Sequence, residues 1–361
     1  MPGRRAQPVV DTALCRRCQA TPPVVTVRTE PLCAPCFRNY VSSKVVKRME
    51  SFRVRHADPD RPPRTLLLPL SHGAGSTALL EILTRHVRSQ AERTGRKGFR
   101  LHVVHVEEPA DSDDERRHAE LQGEVERRFP EHRYSSASLE DFFANAELHV
   151  DGLVPARSGG RSSLADAMSS LDDSTSRADL LYILRRKLVG DFARRHDCEA
   201  ILWGDSTTTL AERTIAQTAK GRGFSVPWIV ASADSHHHSI PSHYPLQDLL
   251  ARELAAFTTM TEPAVDNLVL PRDARQPVSA RENTVDDLMR QYFDSVERDH
   301  PSIVANVVKT AGKLRPPALR DAMELCELCE MPLSGHAPPK SRLCHGCVRT
   351  LSNVRGERAG T

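Results

Sequence analysis

TLLLPL (residues 65–70), SHGAGS (71–76) and TALLEILTRHVRSQAER (77–93) run consecutively, and the reading of the fold turns on them. The first piece is a short unbroken apolar run, the length of a buried strand. In the third, Leu79, Leu80, Leu83 and Val87 recur at the spacing that puts side chains on one face of a helix. Strand, small-residue turn and helix form the opening unit of a parallel sheet covered by helices. LHVVHVEE (101–108) reads as a second strand, ADLLYILRRKLVGDFARRH (178–196) as an amphipathic helix and AILWG (200–204) as a third strand. AERTIAQTAKG (211–221) then predicts a helix with a glycine end, and PWIVAS (227–232) another strand. Residues 282–312 read as helical throughout, and 111–126 as an exposed helix after an acidic loop. Residues 151–176 are rich in Ser, Gly and Asp without a clear period and predict a long flexible loop. The expected class is α/β.

The chain of 361 residues has room for two or three folded units. No window approaches the roughly 18–20 unbroken apolar residues of a membrane span, and mean hydropathy is −0.44. MPGRRAQPVV at the start lacks the apolar run of a secretory signal, so the expectation is a cytoplasmic, reducing setting with no membrane association. Proline-rich ADPDRPPR (57–64) and LRPPALR (314–320) divide the sequence into 1–56, 57–313 and 314–361.

Eight of the nine cysteines lie in two matching arrays. Cys15, Cys18, Cys33 and Cys36 form two CxxC pairs 14 residues apart, and Cys326, Cys329, Cys344 and Cys347 repeat that spacing. Each CxxC knuckle can aim two sulfurs at one metal, and a short hairpin in the gap can bring two knuckles together. Four thiolates leave no open coordination position, so the zinc expected here is structural. Disulfides, an iron–sulfur cluster and redox chemistry use the same residues and stay open as alternatives. His336 and His345 read as exposed loop histidines beside an already sufficient ligand set. The run His236, His237, His238 has no cysteine or carboxylate partners at ligand spacing.

Residues 1–64 hold 13 Lys/Arg against 5 Asp/Glu, a local excess of positive charge on a chain whose net charge is +3. Within it, residues 40–55 form a basic amphipathic helix. Lys44, Lys47, Arg48, Arg53 and Arg55 are its candidates for contacting nucleic-acid phosphates, a solvated face being the plainer alternative. Aromatics make up 5%, which disfavours base stacking and favours backbone contact.

Ser71, Gly73, Gly75 and Ser76 would let backbone N–H groups approach a phosphate at a helix N-terminus. This turn resembles the SGGxDS loop of the PP-loop ATP pyrophosphatases. Gly204 through Glu212, GDSTTTLAE, is similar to that family's GHNADDxAE segment, and Tyr244 through Asp248, YPLQD, to its later RPL-x-D segment. The order of the three, with cysteine arrays at both ends, resembles the tRNA-thiolating branch of the family. That resemblance implies a nucleotide alpha hydrolase-like sheet, tRNA as partner and an ATP site on the turn. It further implies a heterodimer with an active PP-loop paralogue, and sulfur delivered from a thiocarboxylated ubiquitin-related modifier for 2-thiolation of the wobble uridine.

The departures are chemical. Gly75 stands at the loop's aspartate, His72 at a glycine that keeps the loop open, and Thr208 and Thr209 at paired aspartates. Hard anionic ligands for Mg²⁺ are thereby lost. Cys198, the single body cysteine, reads as a small buried hydrophobe. No residue is assigned a catalytic role, and the expected function is a non-catalytic subunit, the alternative being a thiolase active in its own right.

Overall fold

The computed structural model describes residues 11–54, 62–109, 112–145, 163–230, 240–270, 283–314, 324–333 and 335–352. Two strands, β1 (Val25–Val27) and β2 (Glu30–Leu32), pair antiparallel in the gap between the first two CxxC pairs, the expected hairpin. Helix α1 (Ala34–Arg48) begins immediately after Cys33, six residues earlier than the basic stretch suggests, with Pro35 in its first turn, where no N–H is needed.

The body then alternates strand and helix: β3 (Arg64–Pro69), α2 (Ala74–Thr94), β4 (Phe99–Glu107), α3 (Ser112–Arg128) and β5 (Arg133–Ser138), the last a strand beyond those expected. Helices α4 (Leu139–Asn145), α5 (Leu164–Ser170) and α6 (Ser174–Arg195) lead to β6 (Ala200–Leu202), α7 (Thr207–Ala219), α8 (Val226–Val230) and β7 (Ser242–His243). Helices α9 (Ala251–Met260), α10 (Val285–Asp299), α11 (Pro301–Ala311) and α12 (His345–Leu351) complete the order. The five-stranded sheet runs β5-β4-β3-β6-β7, parallel throughout.

Strand alternation decides which helices cover which face. Leu66 and Leu68 of β3, with Leu101 and Val103 of β4, share a core with α1, α2, α9 and the hairpin. Leu67, Val104 and Ile201 point the other way, against Val189, Phe192 and Ala193 of α6. Cys15 and Cys33 belong to the first core, so the N-terminal array is packed into the same apolar mass as the sheet. Cys326, Cys329, Cys344 and Cys347 instead join Leu139, Leu164, Leu180 and Leu184 of α4, α5 and α6.

Four expectations are corrected. Residues 227–230 are helical, within α8, because a continuous buried run carries no period to separate strand from helix. The fifth strand is the polar pair Ser242–His243. Part of the supposed loop 151–176 is α5 and the start of α6, capped by Ser163 and Asp173, whose side chains accept from Asp166 N and Ser176 N; residues 151–162 lie outside the described residues. The helical stretch after residue 282 breaks at His300, where Pro301 starts a new helix.

Phe37 on α1 is fully buried in the core that ties the hairpin to the sheet. Phe37→Ala should lower unfolding free energy by about 3–5 kcal/mol in urea titration, the range for a buried Phe→Ala change.

Candidate functional site

The strand order reverses between β3 and β6, the position at which parallel α/β sheets open a crevice. A cleft of about 770 Å³ lies there. Ser71, Gly73, Gly75 and Ser76 line one wall; Gly204, Asp205, Ser206 and Thr209 line the other. Arg252 of α9 and Asp294, Glu297 and Arg298 of α10 add charged groups that the sequence reading missed. Nothing in their local pattern separates them from ordinary surface charges.

Backbone touches backbone at the join. A Cβ on Gly75 would lie 2.2 Å from the Gly204 carbonyl oxygen, and one on Gly204 would lie 2.7 Å from the Ser76 amide nitrogen. No side chain fits at Gly75, so the missing aspartate is excluded by geometry as well as by sequence. Helix α2 starts at Ala74, which places Gly75 and Ser76 in its first turn rather than in the preceding loop. Ser76 Oγ donates to the Gly73 carbonyl (3.2 Å) and accepts from Ser71 N (3.3 Å), bracing the turn internally.

The three family-like segments meet here. Thr207 of the second donates through N and Oγ1 to the carbonyls of Leu249 (2.8 Å) and Gln247 (2.7 Å), at the end of the third. Asp205 is engaged by Arg213 through two contacts of 2.6 and 3.1 Å. Thr208 is fully buried; its hydroxyl donates to Glu297 and accepts from Ala251 N at 2.9 Å. Thr209 lines the cleft, but its N–H caps back onto Ser206 Oγ at 3.0 Å. These polar groups face one another.

His72 keeps the left-handed backbone that its matching glycine would adopt freely (φ 53°). Its ring does not narrow the cleft. It is fully buried against His105 and His118. His118 Nδ1 lies 3.1 Å from His105 Nε2, whose Nδ1 lies 3.0 Å from the Leu70 carbonyl. Burial first, then the neighbouring His105 and His118, pushes His72 down to about 4. Cys198 packs with Val189, Phe192 and Ile201, and burial pushes its thiol up to about 11, far from nucleophilic.

Of the basic candidates, Lys44 donates to the Asp248 carbonyl (2.9 Å) and Arg48 pairs with the Asp248 carboxylate (2.7 Å). Arg53 pairs with Glu50 at 3.0 Å. Lys47 is exposed, and Arg55 lies outside the described residues.

Each cysteine array gathers its own four sulfurs within 4.8 Å. Cys18 and Cys33 sulfurs stand 3.7 Å apart, as do those of Cys329 and Cys344. All eight are free thiols. His345 is exposed and His336 stacks on Phe224, with ring centroids 4.3 Å apart; neither joins a ligand group. His236, His237 and His238 lie outside the described residues.

A family profile described as cytoplasmic tRNA 2-thiolation protein 2 matches residues 284–342. The chain is 38% identical over 384 residues to the protein of that name from Phaeosphaeria nodorum, covering 97% of both. It is 38% identical over 393 residues to the one from Pyrenophora tritici-repentis, with both covered completely. For Sclerotinia sclerotiorum the figures are 40% over 334 residues, 90% of this chain and 89% of the relative.

The chain belongs to the cytoplasmic tRNA 2-thiolation protein 2 family.

Its fold is similar to that of the U34-tRNA thiolase NcsA from Methanococcus maripaludis, a protein solved with its [4Fe-4S] cluster. The TM-score is 0.62 at 14% identity, over 97% of this chain and 99% of that one. The PP-loop-like α/β class expected from the order of motifs is therefore the observed one. The cytoplasmic expectation agrees with the name of the 2-thiolation protein 2 family, and no described helix is long and apolar enough to cross a membrane.

Two measurements check the cleft in this family member. Gly75→Ala should destabilise by about 1–3 kcal/mol, the overpacking range, whereas Gly123→Ala in α3, where a Cβ meets nothing within 4 Å, should be neutral or stabilising in the same urea titration. His72 titrates lower folded than its unfolded value of about 6.5, so its contribution is present above that pH and is lost as pH falls toward about 4. His72→Asn, which tolerates the left-handed backbone, should make stability between pH 6.5 and 4 shallower by about one proton.

Proposed function

We propose that this chain is a non-catalytic subunit of a cytosolic complex that 2-thiolates the wobble uridine of tRNA. An active PP-loop paralogue would perform adenylation and sulfur transfer, with sulfur arriving from a thiocarboxylated ubiquitin-related modifier. One observation carries the reading: at the sheet's switch point the residues standing at the family's motif positions, which could organise a magnesium nucleotide, are absent or engaged within the chain. Asp205 is held by Arg213, Thr208 by Glu297 and Ala251, and Gly75 has no room for a carboxylate. Metal-ion catalysis of phosphoryl chemistry depends on free oxygen ligands in that position. The one body thiol, Cys198, is buried and protonated.

Each cysteine array is read as a structural zinc site. Four sulfurs about 2.3 Å from one tetrahedral ion stand about 3.8 Å from each other, close to the 3.7 Å of both observed pairs and well beyond a disulfide bond. A cubane cluster bonds each thiolate to a different iron and spreads them wider. Zinc would contribute on the order of 10 kcal/mol to modules too small to fold otherwise. The basic N-terminal segment supports tRNA contact, with Lys47 and Arg48 as the described candidates exposed to solvent.

A second reading, an ATP-dependent thiolase active by itself, draws on the open cleft and on Asp294 and Glu297 within it. Both are tested together. The purified chain with tRNA and ATP should release no pyrophosphate, and a pull-down from native cytosol should recover a PP-loop paralogue together with tRNA. Turnover by the chain alone that disappears on changing Ser76, or loss of wobble thiolation in cells carrying Cys198→Ser, would transfer the chemistry to this subunit.

A further inference from the structure

Asp179 of α6 is fully buried and gathers three cations from two other parts of the chain. Lys220 Nζ lies 2.7 Å from Oδ1, Arg222 Nη1 lies 2.9 Å from Oδ2, and Arg349 of α12 also reaches Oδ2. Lys220 has a second carboxylate, Asp286 of α10, at 2.7 Å. Arg349 and Asp286 are each partly open to solvent, so the fully buried groups are two cations, Lys220 and Arg222, against one carboxylate, and a buried surplus charge is expensive unless something neutralises it.

The surplus lies beside the second cysteine array. The Arg222 stem crosses Gly346, the residue before Cys347; a Cβ on Gly346 would lie 2.2 Å from Arg222 Cγ and 2.9 Å from its Nε. Arg222 Nη2 donates to Thr350 Oγ1 at 2.6 Å and approaches the Gly346 carbonyl at 3.4 Å. Arg222 and Cys329 line the same small cavity. Nε of Arg222 is buried and has no hydrogen-bond partner among the described residues. A guanidinium N–H left without an acceptor beside Cys329 and Cys347 has thiolates as its natural partners, and four thiolates around a dication carry a net charge of −2.

Resting on the reading of this array as a metal site, we propose that Arg222 is the positioning residue of the C-terminal tetrathiolate: its charge compensates the dianionic centre while Asp179 and Thr350 fix its orientation. The glycine in Cys344-His345-Gly346-Cys347 exists to let that side chain pass. Partners of this kind are worth about 10–100-fold in metal affinity. The N-terminal array, packed into an apolar core and with Cys18 exposed, is set in different surroundings.

The test uses the full chain. Metal content is measured by elemental mass spectrometry, and release to a chelator is followed by alkylating exposed thiols and mapping which cysteines react with time. Wild type should hold two zinc ions. Arg222→Gln should speed alkylation of Cys326, Cys329, Cys344 and Cys347 at least about 10-fold without changing Cys15, Cys18, Cys33 and Cys36, and Arg222→Lys should recover most of the difference. Arg213→Gln, which removes another ion-paired guanidinium, separates a local effect from general loss of stability. Two zinc ions with C-terminal release unchanged in Arg222→Gln overturns the role of Arg222 and leaves the metal reading standing, as does equal acceleration in Arg213→Gln. Fewer than two metal ions in wild type overturns both.

Discussion

Where Gly75 and Gly204 pass, two polypeptide backbones occupy the space that side chains would need. That contact sets how closely α2 and α7 begin to each other, and it brings the two helix N-termini to one cleft. Parallel sheets owe their ligand crevices to this switch in strand order, because the loops leaving neighbouring strands diverge to opposite faces. Here the loops diverge and then touch. The scaffold keeps the shape of a nucleotide crevice, while the closeness that maintains the shape forbids a carboxylate at one of the positions where the PP-loop family carries one.

The same trade recurs around the cleft. A catalytic site holds polar groups in reserve, aimed at charge that develops during reaction. In this chain several such groups are spent on internal partners: Asp205 on Arg213, Thr208 on Glu297, Asp248 on Arg48, and Ser76 on Ser71 and Gly73. Apart from the exposed Asp248–Arg48 pair, each pairing satisfies a group whose burial alone would be unfavourable. Internal satisfaction stabilises the fold and leaves fewer dipoles for a substrate, which fits a subunit retained for its surfaces.

What the sequence made legible follows from what periodicity can encode. Leu79, Leu80, Leu83 and Val87 announce α2, and the 14-residue gaps announce two gathered cysteine groups, of which the N-terminal one is bridged by a hairpin. Strand β7 is invisible in the sequence because two polar residues carry no pattern, and α8 reads equally as a strand because five consecutive buried residues look alike in either conformation. The basic stretch is α-helical only as far as Arg48 rather than to residue 55, and Lys44 and Arg48 pair with Asp248, a partner two hundred positions away that no local window contains. The hub on Asp179 was hidden for the same reason. Its one sequence trace is the glycine inside the last CxxC, whose meaning depends on an arginine 124 residues earlier.

Identical cysteine spacing therefore does not imply identical attachment. The N-terminal array is held by apolar neighbours, Phe37, Leu32 and Val41 among them, and contacts of that kind tolerate small shifts because they have no preferred direction. Arg222, Arg349 and Thr350 hold the C-terminal array to α6 and α7, and hydrogen bonds weaken steeply when their angles change. A module anchored through charges must keep its register with α6, whereas one anchored through a shared core can adjust. The two ends of the chain thus repeat a motif and share apolar burial, but the C-terminal one adds a buried cluster of charges that the described surroundings of the N-terminal cysteines do not include.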